Sequence, residues 1–133
     1  MNFRPVLGIF VATMLGAGVA HAQLSVDVTD ESGNDLNIAI PVLPTPAATA
    51  TPAGSTDALG RQIAEVIAAD LRGSGLFKPV GPAGIRAIGN EEVTAPQYDA
   101  WAASGAEALV QGFVRANANG ELTVGCYLYD VAL

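Results

Sequence analysis

The sequence has few of the side chains that carry out chemistry: among 133 residues there are one histidine, one cysteine and six lysines or arginines. His21 lies within an amino-terminal stretch that reads as a removable leader. Residues 23–133 therefore hold no imidazole for a catalytic triad, a neutral-pH proton shuttle or a histidine metal site. Cys126 has no second cysteine for an internal disulfide and no histidine to activate it, which excludes a disulfide framework and cysteine-nucleophile catalysis. Stability must come from burial. Basic charge is also scarce: the net charge is −7, and one unit more negative once Arg4 leaves with the leader. That sign opposes binding to a nucleic-acid backbone and permits, without requiring, a basic protein partner.

Long apolar runs are absent except at the amino terminus, where Arg4 precedes an uncharged stretch from Val6 to Val19 and Ala20-His21-Ala22 supplies a small-x-small pattern. The run is about 15 residues long, short of the roughly 20 that a helix needs to cross hydrocarbon. Residues 1–22 are read as a secretory signal peptide cut between Ala22 and Gln23, which places the mature chain in the periplasm. No cysteine lies near the cut to take a lipid. Residues 23–133 are long enough for one domain.

Leu24, Val26 and Val28 alternate with Ser25, Asp27 and Thr29, the period of a half-buried or edge strand. An acidic turn from Asp30 to Asp35 follows, then a mostly apolar strand over Asn37–Leu43 in which Pro41 marks an end or an edge. Residues 44–56, PTPAATATPAGST, read as a loop. The clearest helix comes next. Ser55 or Thr56 can cap it, Asp57 suits its first turn, Leu59, Ile63, Val66, Ile67 and Leu71 recur at helical spacing, and Gly73 and Gly75 suit its end. Phe77–Val80 is a short extended piece, and Gly81–Asn90 is a loop with room for a turn of helix at Ile85. Pro96 opens a short helix that carries Tyr98, Trp101 and Ala102 on one face. Glu107–Ala116 and Leu122–Val131 are strands joined through Asn119-Gly120, a hairpin signal. In this hairpin Cys126 alternates in step with Leu122, Val124 and Leu128 and reads as a small buried hydrophobe. The order β-β-α-β-α-β-β predicts an α/β fold, a mixed sheet with helices packed on it. The chain stops just after its last strand, as expected for part of a longer protein.

Few constellations remain for chemistry. Asp27, Asp30, Glu31 and Asp35 form a carboxylate cluster that could hold calcium, but their spacing departs from the calcium-loop pattern, so a solvated turn is the better reading. Glu91 and Glu92 are adjacent and point apart, which disfavours an acid/base pair. Gly73-Ser74-Gly75 lies at the end of a helix, where the dipole repels anions. The mature terminal strand is the feature whose position suggests an activity: Gln23, Leu24, Ser25, Val26, Asp27 and Val28 could add to the edge of a partner's sheet through backbone hydrogen bonds. The competing reading is that this strand completes its own sheet.

Several stretches, in order, resemble the TolB family of Tol-Pal envelope proteins. They are Asn37-Ile38-Ala39-Ile40-Pro41, then Ile67-Ala68-Ala69-Asp70-Leu71-Arg72-Gly73-Ser74-Gly75-Leu76-Phe77, then Trp101 to Gly112, then Tyr127-Leu128-Tyr129-Asp130. The resemblance covers nearly all of residues 23–133. It implies an anticodon-binding-like α/β amino-terminal domain followed by a six-bladed β-propeller, and a non-enzymatic role in envelope integrity and outer-membrane invagination during division. It further implies that the segment at Gln23–Asp30 contacts TolA and that the propeller, absent here, binds Pal. It calls for no cofactor or metal. Two rival expectations are a sensory or scaffolding module of another envelope protein, and a carboxylate-based hydrolase or calcium-binding protein.

Overall fold

The computed structural model describes residues 35–133; the leader, the expected strand at Leu24–Thr29 and most of the acidic turn lie outside them. In chain order the elements are β1 (Leu36–Ala39), β2 (Ala50–Thr51), β3 (Gly54–Ser55), α1 (Thr56–Ser74), β4 (Phe77–Val80), α2 (Tyr98–Ala103), β5 (Ala108–Ala116) and β6 (Leu122–Asp130), with a 3-10 turn at Asn90–Glu92 before α2. A four-stranded sheet in the order β4-β1-β5-β6 organises them. Strand β1 is parallel to β4 and to β5, and β5 is antiparallel to β6, so the sheet is mixed, as expected.

Helix α1 begins at Ser55, which holds the extended cap conformation without a side-chain cap bond, and ends at Gly75, whose φ of 74° lets its N–H bond the Arg72 carbonyl at 3.2 Å. Thr56 does something else. Its hydroxyl, fully buried, accepts from the Thr49 N–H at 3.0 Å and ties down the Pro/Thr/Ala stretch. That stretch is more ordered than a plain loop, since β2 and β3 form a small antiparallel ladder inside it. The expected extended run over Asn37–Leu43 is regular only through Ala39; Ile40, Pro41 and Leu43 continue it as buried irregular chain.

The face that α1 buries is rotated from the one its large residues mark. The closest approach follows Thr56, Gly60, Ala64 and Ala68, four residues apart, while Leu59, Ile63, Ile67 and Leu71 pack half-buried alongside and Val66 is 59% exposed. Small side chains let the helix backbone approach Leu43. A second cluster, Ala39, Ile88, Val93, Trp101, Leu109 and Val131, fills the space beneath α2 on the other face of the sheet. Of the expected α2 face only Trp101 is buried; Tyr98 and Ala102 are exposed, because a six-residue helix can aim only one large residue at the core.

The two edges of the sheet differ. On β4, the carbonyls of Leu76 and Val80 accept from Leu36 and Ile40 of the β1 side, which turns Pro79 outward, where its missing N–H leaves no bond unmade. On β6, Cys126 keeps step with Leu122, Val124 and Leu128 as expected, but the row is exposed: α1 packs on β4 and β5 and does not extend over β6. The buried placement of Cys126 is therefore corrected. The parity was right, and among the described residues no element covers the row.

Candidate functional site

The expected contact residues Gln23, Leu24, Ser25, Val26, Asp27 and Val28, and the expected cut between Ala22 and Gln23, lie outside the described residues. So do Asp27, Asp30 and Glu31 of the carboxylate cluster; the remaining member, Asp35, is exposed. Among the described residues no group of three histidine, cysteine or carboxylate side chains could hold a metal ion.

The most elaborate side-chain arrangement lies where the loop after β4 meets α2. Glu92 is buried, and its carboxylate receives a two-pronged ion pair from Arg86, one arm at 3.0 Å and the other shorter. The Arg86 guanidinium in turn lies 4.5 Å over the Trp101 ring. The Trp101 indole N–H is buried close to the same carboxylate without reaching hydrogen-bond geometry. Arg86 holds the Glu92 carboxyl below the usual carboxylate range, against the opposing pull of burial, with help from the Gln97 N–H. Such a carboxylate stays ionised and is a poor proton donor. Glu91 does not share the site, as its adjacency to Glu92 predicts.

Beside this group a cavity of about 590 Å³ opens over β1 and β4, walled by Ala39, Val80, Ile85, Arg86, Ala100 and Trp101. Its walls are mainly apolar, its one cation is already paired, and the Ser104 hydroxyl on its rim donates to the Trp101 carbonyl at 2.6 Å. Nothing lining it pairs a nucleophile with a base. Partial desolvation pushes the Cys126 thiol up, which lowers its thiolate fraction.

A tyrosine group lies on the same face of the sheet at its other end. Tyr129 meets Tyr98 edge-on at 6.2 Å and stacks with Tyr127 at 6.3 Å, while its hydroxyl donates to the Val93 carbonyl at 2.8 Å. Burial, then the two neighbouring tyrosines, raise its hydroxyl pKa. Neither the ion pair nor this group was singled out from the sequence. The alternation Tyr127-x-Tyr129 signalled a shared face, whereas nothing local ties Arg86 to Glu92 and Trp101. Each is held in place, the first by the ion pair and the second by the bond to the Val93 carbonyl.

Residues 24–133 match the family model described as the TolB amino-terminal domain. Among curated relatives, the Tol-Pal system protein TolB of Rhizorhabdus wittichii is 50% identical over 131 residues, covering 98% of this chain and 30% of its own length. That of Zymomonas mobilis is 56% identical over 108 residues, covering 81% of this chain and 24% of its own. That of Sphingopyxis alaskensis is 67% identical over 78 residues, covering 59% and 17%. The chain thus spans less than a third of the length of these relatives. With its mixed sheet, its two helices on opposite faces and a match running from residue 24 to residue 133, the chain belongs to the TolB amino-terminal domain family.

Proposed function

We propose that this chain is the partner-contacting amino-terminal part of a periplasmic Tol-Pal component that works by binding and catalyses no reaction. Residues 1–22 act as the export signal and are removed between Ala22 and Gln23. In this reading Gln23, Leu24, Ser25, Val26, Asp27 and Val28 join the edge of a sheet in TolA, where backbone hydrogen bonds give affinity and the alternate side chains Leu24, Val26 and Val28 give specificity. Pal is engaged by the propeller of the longer protein. The complex serves envelope integrity and outer-membrane invagination during division. Membership of the family over residues 24–133 carries the proposal. The lack of histidine after residue 22 supports a non-catalytic role, and no helix among the described residues is long and apolar enough to cross a membrane.

The test is a titration of the periplasmic carboxyl-terminal domain of TolA with residues 23–133 and with a version beginning at Asp30. Binding by the first and its loss in the second supports the strand reading. Equal binding by both versions, or none by either when circular dichroism shows them folded, refutes it.

A further inference from the structure

The turn between β5 and β6 carries Asn119-Gly120, the one asparagine-glycine pair in the sequence. Asn119 is exposed, and its side-chain amide makes no hydrogen bond among the described residues. Gly120 holds a φ of 78°, which glycine adopts without strain, and it places no Cβ beside its own nitrogen. The turn closes on itself between Asn117 and Glu121. The Gly120 N–H donates to the Asn117 carbonyl at 3.0 Å, and the Asn117 N–H donates to the Glu121 carbonyl at 3.0 Å. The Asn117 side chain reinforces both bonds. Its Oδ1 accepts from the N–H of Asn119 at 2.9 Å and from that of Glu121 at 3.0 Å, and its Nδ2 donates to the Glu121 carboxylate at 2.5 Å. Every partner is local, so the arrangement belongs to the hairpin itself, whatever adjoins the domain.

We propose that Asn119 is a site of spontaneous deamidation, that opening of this turn sets its rate, and that the Asn117 side chain guards it. In the reaction the Gly120 backbone nitrogen bonds to Asn119 Cγ and the Cγ–Nδ2 bond breaks. Nδ2 leaves as ammonia, carrying the proton that the Gly120 nitrogen gives up. The cyclic imide then takes up water at one of its two carbonyls and opens to aspartate or isoaspartate. Water is the one co-reactant, and nothing is oxidised or reduced. Glycine suits the attack because no side chain crowds the nitrogen. The nitrogen must give up the same proton that it donates to the Asn117 carbonyl, so the bond that makes the turn also protects it. Reaction therefore passes through the opened turn, as amide hydrogen exchange does, and a hairpin tip opens at a free energy well below that of global unfolding. The product adds one negative charge to the −7 of the chain, beside Glu121, and its isoaspartyl form inserts an extra carbon into the backbone between β5 and β6.

The purified protein is incubated at neutral pH, folded and in parallel in urea, and then cut after glutamate so that mass spectrometry follows the peptide Ala108–Glu121. In the folded protein this peptide should gain the mass of an amide turned into an acid, at least about tenfold more slowly than in urea, the factor set by turn opening. Asn117→Ala keeps the Asn119-Gly120 pair and removes the side-chain bonds to the Asn119 and Glu121 N–H groups. It should speed the folded reaction severalfold and leave the reaction in urea unchanged, with circular dichroism checking that the variant is folded. Asn119→Gln should abolish the mass gain in this peptide. The proposal is overturned by a folded protein that stays unmodified after the unfolded one has reacted fully, or by equal rates in the two states. A folded rate indifferent to Asn117→Ala also overturns it, as does a mass gain that survives Asn119→Gln.

Discussion

Replacing Gly60 by alanine ought to stabilise an ordinary helix, because glycine in a helix interior costs about 1 kcal/mol relative to alanine. At this site the sign reverses. A Cβ on Gly60 would stand 2.0 Å from the Leu43 carbonyl oxygen and 3.1 Å from its carbon, and both atoms are backbone, so no side chain can swing aside. The Gly60 carbonyl also accepts from the Leu43 N–H at 3.3 Å, which fixes the two segments face to face. Relief requires α1 to move off Leu43 by about 1 Å, a gap that forfeits a quarter to a half of the dispersion energy of each contact it opens. Those contacts include Ala64 and Ala68 against Ile38, Val110 and Val114. Overpacking of this kind costs about 1–3 kcal/mol, and a backbone obstacle belongs at the upper end. Net of the helix gain, Gly60→Ala should lose about 2 kcal/mol, or roughly 8 °C or more in Tm for a domain of this size. The matched control is Gly73→Ala in the last turn of the same helix, where a Cβ meets nothing within 4 Å and the propensity gain of up to about 1 kcal/mol should appear undiminished. Urea unfolding followed by circular dichroism measures both. If Gly60→Ala is as stable as Gly73→Ala, the close approach of α1 to Leu43 is wrong.

The ion pair beneath α2 makes stability depend on pH. The folded pKa of Glu92 is lowered from 4.5, so its contribution is complete above that value and is lost as pH falls through the folded pKa. Glu92→Gln should therefore destabilise at pH 7 by about 1.5–3 kcal/mol, the worth of a charged hydrogen-bonded contact, with the difference shrinking below pH 4.5; a pH-independent difference in urea midpoints would show that the charge is not the cause. Tyr129→Phe removes the bond to the Val93 carbonyl and should cost about 1 kcal/mol in the same assay, while an unchanged midpoint would mean that water replaces the hydroxyl. Gly112→Ala would place a Cβ 2.2 Å from the Gly125 carbonyl oxygen across the hairpin and should cost about 1–3 kcal/mol, and a gain in stability would contradict the observed register of β5 against β6.

What the sequence made legible was local. Asp57, Arg72 and Gly75 bound a helix through the dipole and the left-handed cap, and Asn119-Gly120 places a turn between two alternating runs; α1 and the β5–β6 hairpin follow from these signals. Features set by distant contacts were not legible. Large apolar residues at Leu59, Ile63, Val66 and Ile67 mark the helix side rich in apolar surface, yet the line of closest contact is set by the smallest residues, Gly60, Ala64 and Ala68, because separation between backbones favours side chains that occupy least room. Arg86 and Glu92 meet Trp101 only through the course of the loop after β4, which no periodicity encodes.

Strand β6 shows why the remainder could not be read. Alternation of Leu122, Val124, Cys126 and Leu128 with polar or aromatic residues states that one face is apolar, and it says so identically whether that face meets a helix of the same domain or another molecule. The free energy recovered per unit of apolar area is the same in either case. Strand β5, the neighbour of β6, carries Val110 and Val114 on the same side of the sheet, and both are buried under α1. The two rows are chemically alike and differ only in their distance from one helix. Periodicity therefore fixes which residues share a face, while burial depends on what lies above it.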